Sequence, residues 1–273
     1  MPEILDIVLL LFAGAFGGFL SGILGVGGGI IFIPILDLVL KQYGIEMEVV
    51  KFILANSLTV IIFTGAFNSY RQYKAGNFFP RYIFATAGPG VLSALMSSWL
   101  ITLGDWYRKD TFNLVFAIVL IPAIVRMLST RKEMEIQEPR ISLRKFSIVG
   151  AVTGVFSAFS GLGGGVIMIP SFVNLLKLEM KKAVSISAGV TPFFALPAAF
   201  YYMFLEPVQP IIAVEHMGFI LYPIVTPMII GALITVPFGV STGHKMKPKT
   251  AKLIFSFFVI LVLAKMFWES VLK

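Results

Sequence analysis

Leu24–Pro34 reads LGVGGGIIFIP, and Ser160–Pro170 reads SGLGGGVIMIP. Each stretch sets three consecutive glycines inside a strongly apolar run and closes on a proline. Glycine destabilises a helix interior by about 1 kcal/mol relative to alanine. A continuous helix is therefore not expected through Gly27, Gly28 and Gly29, nor through Gly163, Gly164 and Gly165. The likeness extends beyond the glycines. Laying Gly14–Leu36 on Gly150–Phe172 makes 11 of the 23 positions identical. Farther along, Ala55–Val60 matches Ser187–Pro192 more weakly, and Thr111–Met127 matches Thr250–Met266 at five equally spaced residues. The chain is a duplicated unit.

Composition says what surrounds that unit. Of 273 residues, 13% are charged and 58% are hydrophobic, against about 25% and 45–50% in soluble domains. A soluble surface built from this chain would carry large exposed apolar patches, so a cytosolic enzyme is excluded. The apolar runs are long and unbroken, unlike the alternating strands of about ten residues in a membrane barrel. With no cysteine, disulfide frameworks, thiolate metal sites and thiol redox chemistry are excluded as well. An all-α integral membrane protein remains.

Eight charge-free stretches divide the chain: Ile7–Leu36, Phe52–Tyr70, Tyr82–Gly104, Thr111–Val125, Phe146–Leu176, Ala183–Leu205, Met217–Lys245 (up to its terminal lysine) and Leu253–Ala264. Most suit one spanning helix of about 20 residues. The first and fifth, each roughly half as long again, are too long for one crossing and too short for two. Lys265, just past the last, is expected to snorkel from a helix end. The polar segment 129–145 is the evident linker, giving a first transmembrane repeat over 1–128 and a second over 146–273.

Basic residues orient the two halves. If all eight stretches crossed, the 22 basic residues would divide equally between the faces. If the first and fifth are re-entrant hairpins broken at their glycines, 16 fall on one face and six on the other, restoring the cytoplasmic bias of membrane loops. Each half then makes three net crossings, so the two repeats are inverted. This predicts a multi-pass cell-membrane protein with linker 129–145 cytoplasmic and both termini outside. Trp99, Trp106 and Trp268 fall near the sparsely charged face, as an interfacial aromatic belt would. The net charge of +8 is this loop bias, and no nucleic-acid partner is implied. The lipid bilayer is the expected surrounding, and assembly into a homo-oligomer is left open.

Neither glycine cluster fits a nucleotide loop. The dinucleotide fingerprint needs a preceding strand and a following acidic residue, and the phosphate loop needs Gly-Lys-Ser/Thr. Gly14/Gly18 and Gly150/Gly154 have the spacing of close helix packing. Broken helices at mid-membrane are tolerated only where the backbone lines a cavity or is buried in protein. Gly25, Gly27, Gly28 and Gly29, with Gly161, Gly163, Gly164 and Gly165, are therefore candidate site residues. Each break leaves a helix N-terminus whose free N–H groups and positive dipole end favour an anion. Duplicated, inverted units with discontinuous helices are a plan of secondary transporters.

The paired LGxGGGxxxxP-like signatures, each opening a half of four hydrophobic segments, resemble the sulfite exporter TauE/SafE family over nearly the whole chain. That resemblance implies an exporter or permease for small sulfur-containing anions: sulfite, or organosulfonates such as sulfoacetate. It implies no cofactor. The chain departs from thiosulfate-uptake relatives that use cysteines.

Sparse polar residues follow each hairpin. Asn56, Ser57 and Thr59 in the second stretch, and Ser187 and Thr191 in the sixth, are candidate anion ligands, since hydroxyls and amides donate without bringing a charge into the bilayer. The competing reading is that hydroxyls bond their own i−4 carbonyls. Arg71 is the candidate residue at the anion's entrance. An enzyme is disfavoured because the charge-free stretches hold no titratable constellation. The rival function is an anion channel, or a permease for another small organic anion; saturation and counterflow of the flux separate channel from carrier.

Overall fold

The computed structural model describes residues 4–45, 47–104, 106–129, 142–208 and 215–271. The first glycine cluster ends helix α1 (Ile4–Leu24) and begins α2 (Gly29–Gln42). The second separates α6 (Leu143–Ser160) from α7 (Gly165–Pro170), which runs on as a π-helical turn, Ser171–Leu175. The remaining helices are α3 (Val49–Lys74), α4 (Pro80–Thr102), α5 (Lys109–Ser129), α8 (Met180–Met203), α9 (Tyr222–Lys245) and α10 (Pro248–Val271). Among the described residues, α1, α3, α4, α8 and α9 are long and apolar enough to cross a membrane. Most of the linker, residues 130–141, and the side chain of Trp268 lie outside the described residues.

One departure from helix stands at the head of the seventh stretch. β1 (His216–Met217) and β2 (Ile220–Leu221) pair antiparallel, turning at Gly218, whose φ is 56°. Helix α9 therefore starts at Tyr222 rather than Met217. Pro223, inside its first turn, needs no intrahelical donor there.

Each broken pair folds back on itself. The Tyr43 hydroxyl, just past α2, donates to Asp6 Oδ2 at 2.6 Å, near the start of α1. Gly17 of α1 lies against the ring of Phe32 in α2, so closely that a Cβ would fall 2.2 Å from it. In the second half, Phe146 near the start of α6 packs on Phe172, with ring centroids 5.5 Å apart.

Packing exchanges elements between the halves. α1 packs on α9 and α6 on α4; α2 meets α10 and α7 meets α5; α3 and α8 pair with each other. The glycines of the first two pairs allow contact at backbone distance. A Cβ on Gly14 would sit 2.0 Å from Met228 O, and one on Gly150 2.0 Å from Thr86 O. Gly18 likewise meets Ala232, Gly22 meets Val236 and Gly154 meets Gly90. The ascending order makes α1 parallel to α9 and α6 parallel to α4. α3 and α8 run the other way round: Gly65 abuts Pro192, while Ser185 donates to Asn77 O.

The charged ends tie helices together. Asp37 of α2 is buried and pairs with Lys109 of α5 at 2.6 Å and with Lys41 at 3.2 Å. Lys265 does not simply snorkel; its ammonium donates to Pro34 O at 2.9 Å, joining α10 to α2. Burial pushes the phenol of Tyr107, in the α4–α5 connection, far above its ordinary range, and it donates to Phe159 O at 2.5 Å.

Gly14→Ala and Gly150→Ala each force two helix backbones apart, and each is expected to cost about 1–3 kcal/mol of stability. Gly88→Ala, where an added Cβ meets nothing within 4 Å, is expected to be neutral or slightly stabilising. Thermal denaturation of the purified protein in detergent compares the three.

Candidate functional site

The six turn glycines Gly25, Gly27, Gly28, Gly161, Gly163 and Gly164 all have positive φ, between 66° and 89°. L side chains are rarely found there, which explains why glycine recurs at the same places in both copies. Gly28 and Gly164 occupy the N-cap positions of α2 and α7. The first intrahelical bonds are Ile31 N to Gly28 O and Ile167 N to Gly164 O. The amides of Gly29 and Ile30, and of Gly165 and Val166, precede any intrahelical acceptor, as the first N–H groups of a helix must.

The two turns touch. A Cβ on Gly29 would lie 2.9 Å from Leu162 Cα and 3.1 Å from Gly161 O, and one on Gly165 would lie 2.5 Å from Val26 Cα and 2.9 Å from Gly25 O. All of these residues are buried. Gly27 and Gly163 face a common pair of side chains, Ile61 and Thr191, whose methyls come within 2.8–3.1 Å of either glycine's Cβ position. Gly28 and Gly164 instead face packed neighbours: the Phe32 ring and Gly17 O for one, Thr153 and Phe194 for the other.

Ser57 and Ser187 hold these turns from across the repeat. Ser57 Oγ donates to Gly161 O at 2.9 Å, and Ser187 Oγ donates to Gly25 O at 2.8 Å. Each serine thus clamps the first glycine carbonyl of the opposite half. The pairing sets Ser57 in register with Ser187, whereas the match of Ala55–Val60 to Ser187–Pro192 sets Ala55 there. At the packed register Ile61 corresponds to Thr191, which is why the two share the space over Gly27 and Gly163.

The other sequence candidates separate from this junction. Asn56 Nδ2 donates to Phe52 O at 2.7 Å and to Phe219 O at 3.0 Å, and its Oδ1 accepts Leu221 N at 2.8 Å. Its amide is used in anchoring the short β-hairpin. Thr59 bonds its own i−4 carbonyl, Ala55 O, at 2.7 Å, and lies about 200° around the helix from Ile61. Thr191 also bonds its own helix, donating to Ser187 O at 2.8 Å, but its methyl reaches the glycines. Arg71 is half-buried in the last turn of α3.

Two site features lie beyond the sequence candidates. Thr64, Asn68 and Gln72 continue the junction-facing side of α3 at i, i+4 spacing, all buried. Thr64 Oγ1 donates to Gly27 O at 2.9 Å, and Asn68 Nδ2 donates to Ser21 O at 2.6 Å. Ser21 and Ser157, identical positions of the duplicated stretch, carry buried hydroxyls without a hydrogen-bond partner. The i, i+4 recurrence of polar residues in an apolar helix is the sequence signal for the first feature. The coincidence of Ser21 with Ser157 is the signal for the second.

The likeness to known proteins runs over almost the whole chain. A family model described as "Sulfite exporter TauE/SafE" matches residues 10–266. A probable membrane transporter protein of Methanocaldococcus jannaschii is 26% identical over 248 residues, covering 91% of this chain and 90% of its own. One of Haemophilus influenzae is 26% identical over 262 residues, covering 96% and 98%. One of Bacillus subtilis is 24% identical over 295 residues, covering 98% and 99%. No solved structure matches significantly.

Ser57→Ala and Ser187→Ala each release a buried turn carbonyl, and each is expected to cost about 1–3 kcal/mol. Thr59→Val removes only a bond to its own helix and is expected to change stability by less than about 0.5 kcal/mol. Chemical or thermal denaturation in detergent gives all three values.

Proposed function

We propose, from the premise that this chain belongs to the sulfite exporter TauE/SafE family, that it is a secondary transporter for small sulfur-containing oxyanions. Membrane transport is the family's work, and the relatives that match over almost their full lengths are named probable membrane transporter proteins. The substrate class and the site are inferences of our own.

The observation that carries the reading is the contact of the two glycine turns beneath Ile61 and Thr191. Two helix N-termini, α2 and the Gly165–Leu175 helix, bring their free amides to one buried place. Each supplies roughly half a positive charge, so together they suit a monoanion such as bisulfite or a sulfonate group. No lysine or arginine need enter. A sulfonate's three oxygens match amides from both turns, with Thr191 turning its hydroxyl from Ser187 O toward the ligand. Ser57 and Ser187 hold the turns in shape rather than touching the anion. Asn56 and Thr59 stand outside this binding shell. The Ile61 and Thr191 methyls fill the junction in the conformation described, and they withdraw when the anion is bound.

Topology supports alternating access. α3 and α8, which occupy the same place in the two halves, run antiparallel, as a two-fold axis in the membrane plane requires. The Asp6–Tyr43 bond and the Phe146–Phe172 contact close the mouths of the two broken pairs. Each pair then enters and leaves on one face, and the two faces are opposite. With the lysine-rich ends of α8 and α9 cytoplasmic, the first hairpin opens outward and the second inward, and both ends of the described chain lie outside. An anion channel is the rival reading, and saturation and counterflow of the flux separate the two.

The test is uptake into proteoliposomes of sulfite, sulfoacetate, sulfate, phosphate and succinate, side by side. Saturable, counterflowing transport of sulfite or sulfoacetate is the expected result. Thr191→Val is expected to raise the half-saturating concentration about tenfold, the equivalent of one hydrogen bond to a charged group, with little change in stability. If succinate or a cation is carried well while both sulfur anions are ignored, the substrate assignment is wrong.

A further inference from the structure

The polar side of α3 does not stop at the glycine junction. Thr64, Asn68 and Gln72 lead away from Gly27 O over about 12 Å of helix, toward the lysine-rich end of the molecule. Every one of the three is fully or almost fully buried. Three polar atoms along this line lack a hydrogen-bond partner: Ser21 Oγ, Asn68 Oδ1 and Gln72 Nε2. A buried polar group without a partner costs about 1–3 kcal/mol, so three in a row need a reason. In the register that pairs Ser57 with Ser187, the equivalent places on α8 hold Phe194, Ala198 and Tyr202. That side is filled by rings and a methyl, and its unpartnered hydroxyls, Ser157 Oγ and Tyr202 OH, are not joined by amides as Ser21 is by Asn68 and Gln72.

The line ends in a cleft. Gly22 and Ile23 of α1, Gln72 of α3, Lys181 and Val184 of α8, and His244 of α9 contribute to the walls of a narrow, open-mouthed cleft with a cavity volume of about 20 Å³, room for a water-sized group until its walls part. Among the described residues, no carboxylate lines it. Gln72 Oε1 accepts from His244 Nε2 at 2.8 Å and from Asn77 Nδ2 at 3.1 Å. Those two bonds fix the amide with its oxygen occupied and its Nε2 unpaired. A cleft with a buried, oriented and unused donor, a lysine at its rim and no acidic residue has the chemistry of an anion site.

We propose that this cleft is a second anion-binding station, at which an oxyanion takes the Gln72 Nε2 donor and the Lys181 charge before passing along Asn68 and Thr64 to the Gly27 turn. The station rests on the transport reading for its purpose but not for its binding. Lys181, rather than Arg71, is then the attracting charge at this mouth, since Lys181 lines the cleft and Arg71 does not. Ser21 Oγ, one turn before the first glycine break, is the free donor next to Asn68 along the way. The Gln72 amide selects for anions with oxygen acceptors, and the rim lysine raises their local concentration.

The absence of cysteine makes the test clean. Met246→Cys places a single thiol in the cleft wall, and Ile61→Cys places one at the glycine junction. The rate of modification by N-ethylmaleimide is measured on each purified protein with and without sulfoacetate, which does not add to the reagent as sulfite does. Sulfoacetate is expected to slow modification of Met246→Cys about tenfold, and the protection is expected to vanish when Lys181→Gln or Gln72→Glu is added. Lys181 is exposed, so its variant keeps the test valid if Gln72→Glu fails to fold. No protection at Met246→Cys, or protection that survives Lys181→Gln, overturns the station. Protection at Met246→Cys but not at Ile61→Cys keeps the station and removes the junction as the transport site. The reverse pattern keeps the junction and removes the station.

Discussion

Everything else in this molecule is arranged around the meeting of two chain breaks in the middle of an apolar protein. A broken helix in hydrocarbon leaves amides and carbonyls that nothing in lipid can satisfy. Here each break is covered by the other. Gly29 sits on Gly161 and Leu162, and Gly165 sits on Val26 and Gly25. Ser57 and Ser187 then take up the carbonyls of Gly161 and Gly25 from across the repeat. Each half covers part of its own break, as Phe32 does at Gly28 and Phe194 at Gly164, and the opposite half covers the rest. This dependence explains the exchange of partners throughout the packing, with α1 on α9, α6 on α4, and the central α3 on α8.

Matching contacts in the two halves do not make the halves equivalent. The junction-facing side of α3 is Ser57, Ile61, Thr64, Asn68 and Gln72, whereas α8 presents Ser187, Thr191, Phe194, Ala198 and Tyr202 at the same places. The serine clamp is common to both halves. Beyond it one direction is polar and the other aromatic. On the far side, Phe219 packs on Phe52 and Tyr202, with ring centroids 4.8 and 6.2 Å apart, and Asn56 pins the hairpin that carries Phe219. The conformation described is closed by rings on that side and lined by hydrogen-bonding groups on the other. A carrier that exchanges these two conditions alternates access, and unequal halves allow the two mouths to differ in affinity.

The large features are legible in the sequence for a physical reason. Triple glycine in an apolar run has few uses other than a tight turn with positive φ, so LGVGGG at Leu24–Gly29 and SGLGGG at Ser160–Gly165 announce both breaks. Gly14, Gly18, Gly150 and Gly154 lie at helix contacts, as their spacing implies. Individual ligands are harder to read. Asn56 stands out because an amide in lipid needs partners, but beyond its own helix's Phe52 O those partners are the backbone of a hairpin in the other half, which no local pattern encodes. Ser57 and Ser187 stand out as donors, and donors they are, toward carbonyls of the opposite half. Their pairing fixes a register that the weak match of ANSLTV to SAGVTP misplaces by half a helical turn. Gln72 stands among the charges at a segment end, where a polar residue looks ordinary until its burial is known.

If the transport reading holds, the junction of the two glycine turns lies on the path of the anion and is reached from both faces. Ile61→Cys, otherwise cysteine-free, in sealed proteoliposomes of known orientation measures this directly. A membrane-impermeant, sulfonate-bearing thiol reagent is applied from one face and then, in separate vesicles, from the other. Modification from either face, slowed by sulfoacetate on each, is the expected result. Modification from neither face, in protein that still transports, would contradict the claim and place the anion's route elsewhere.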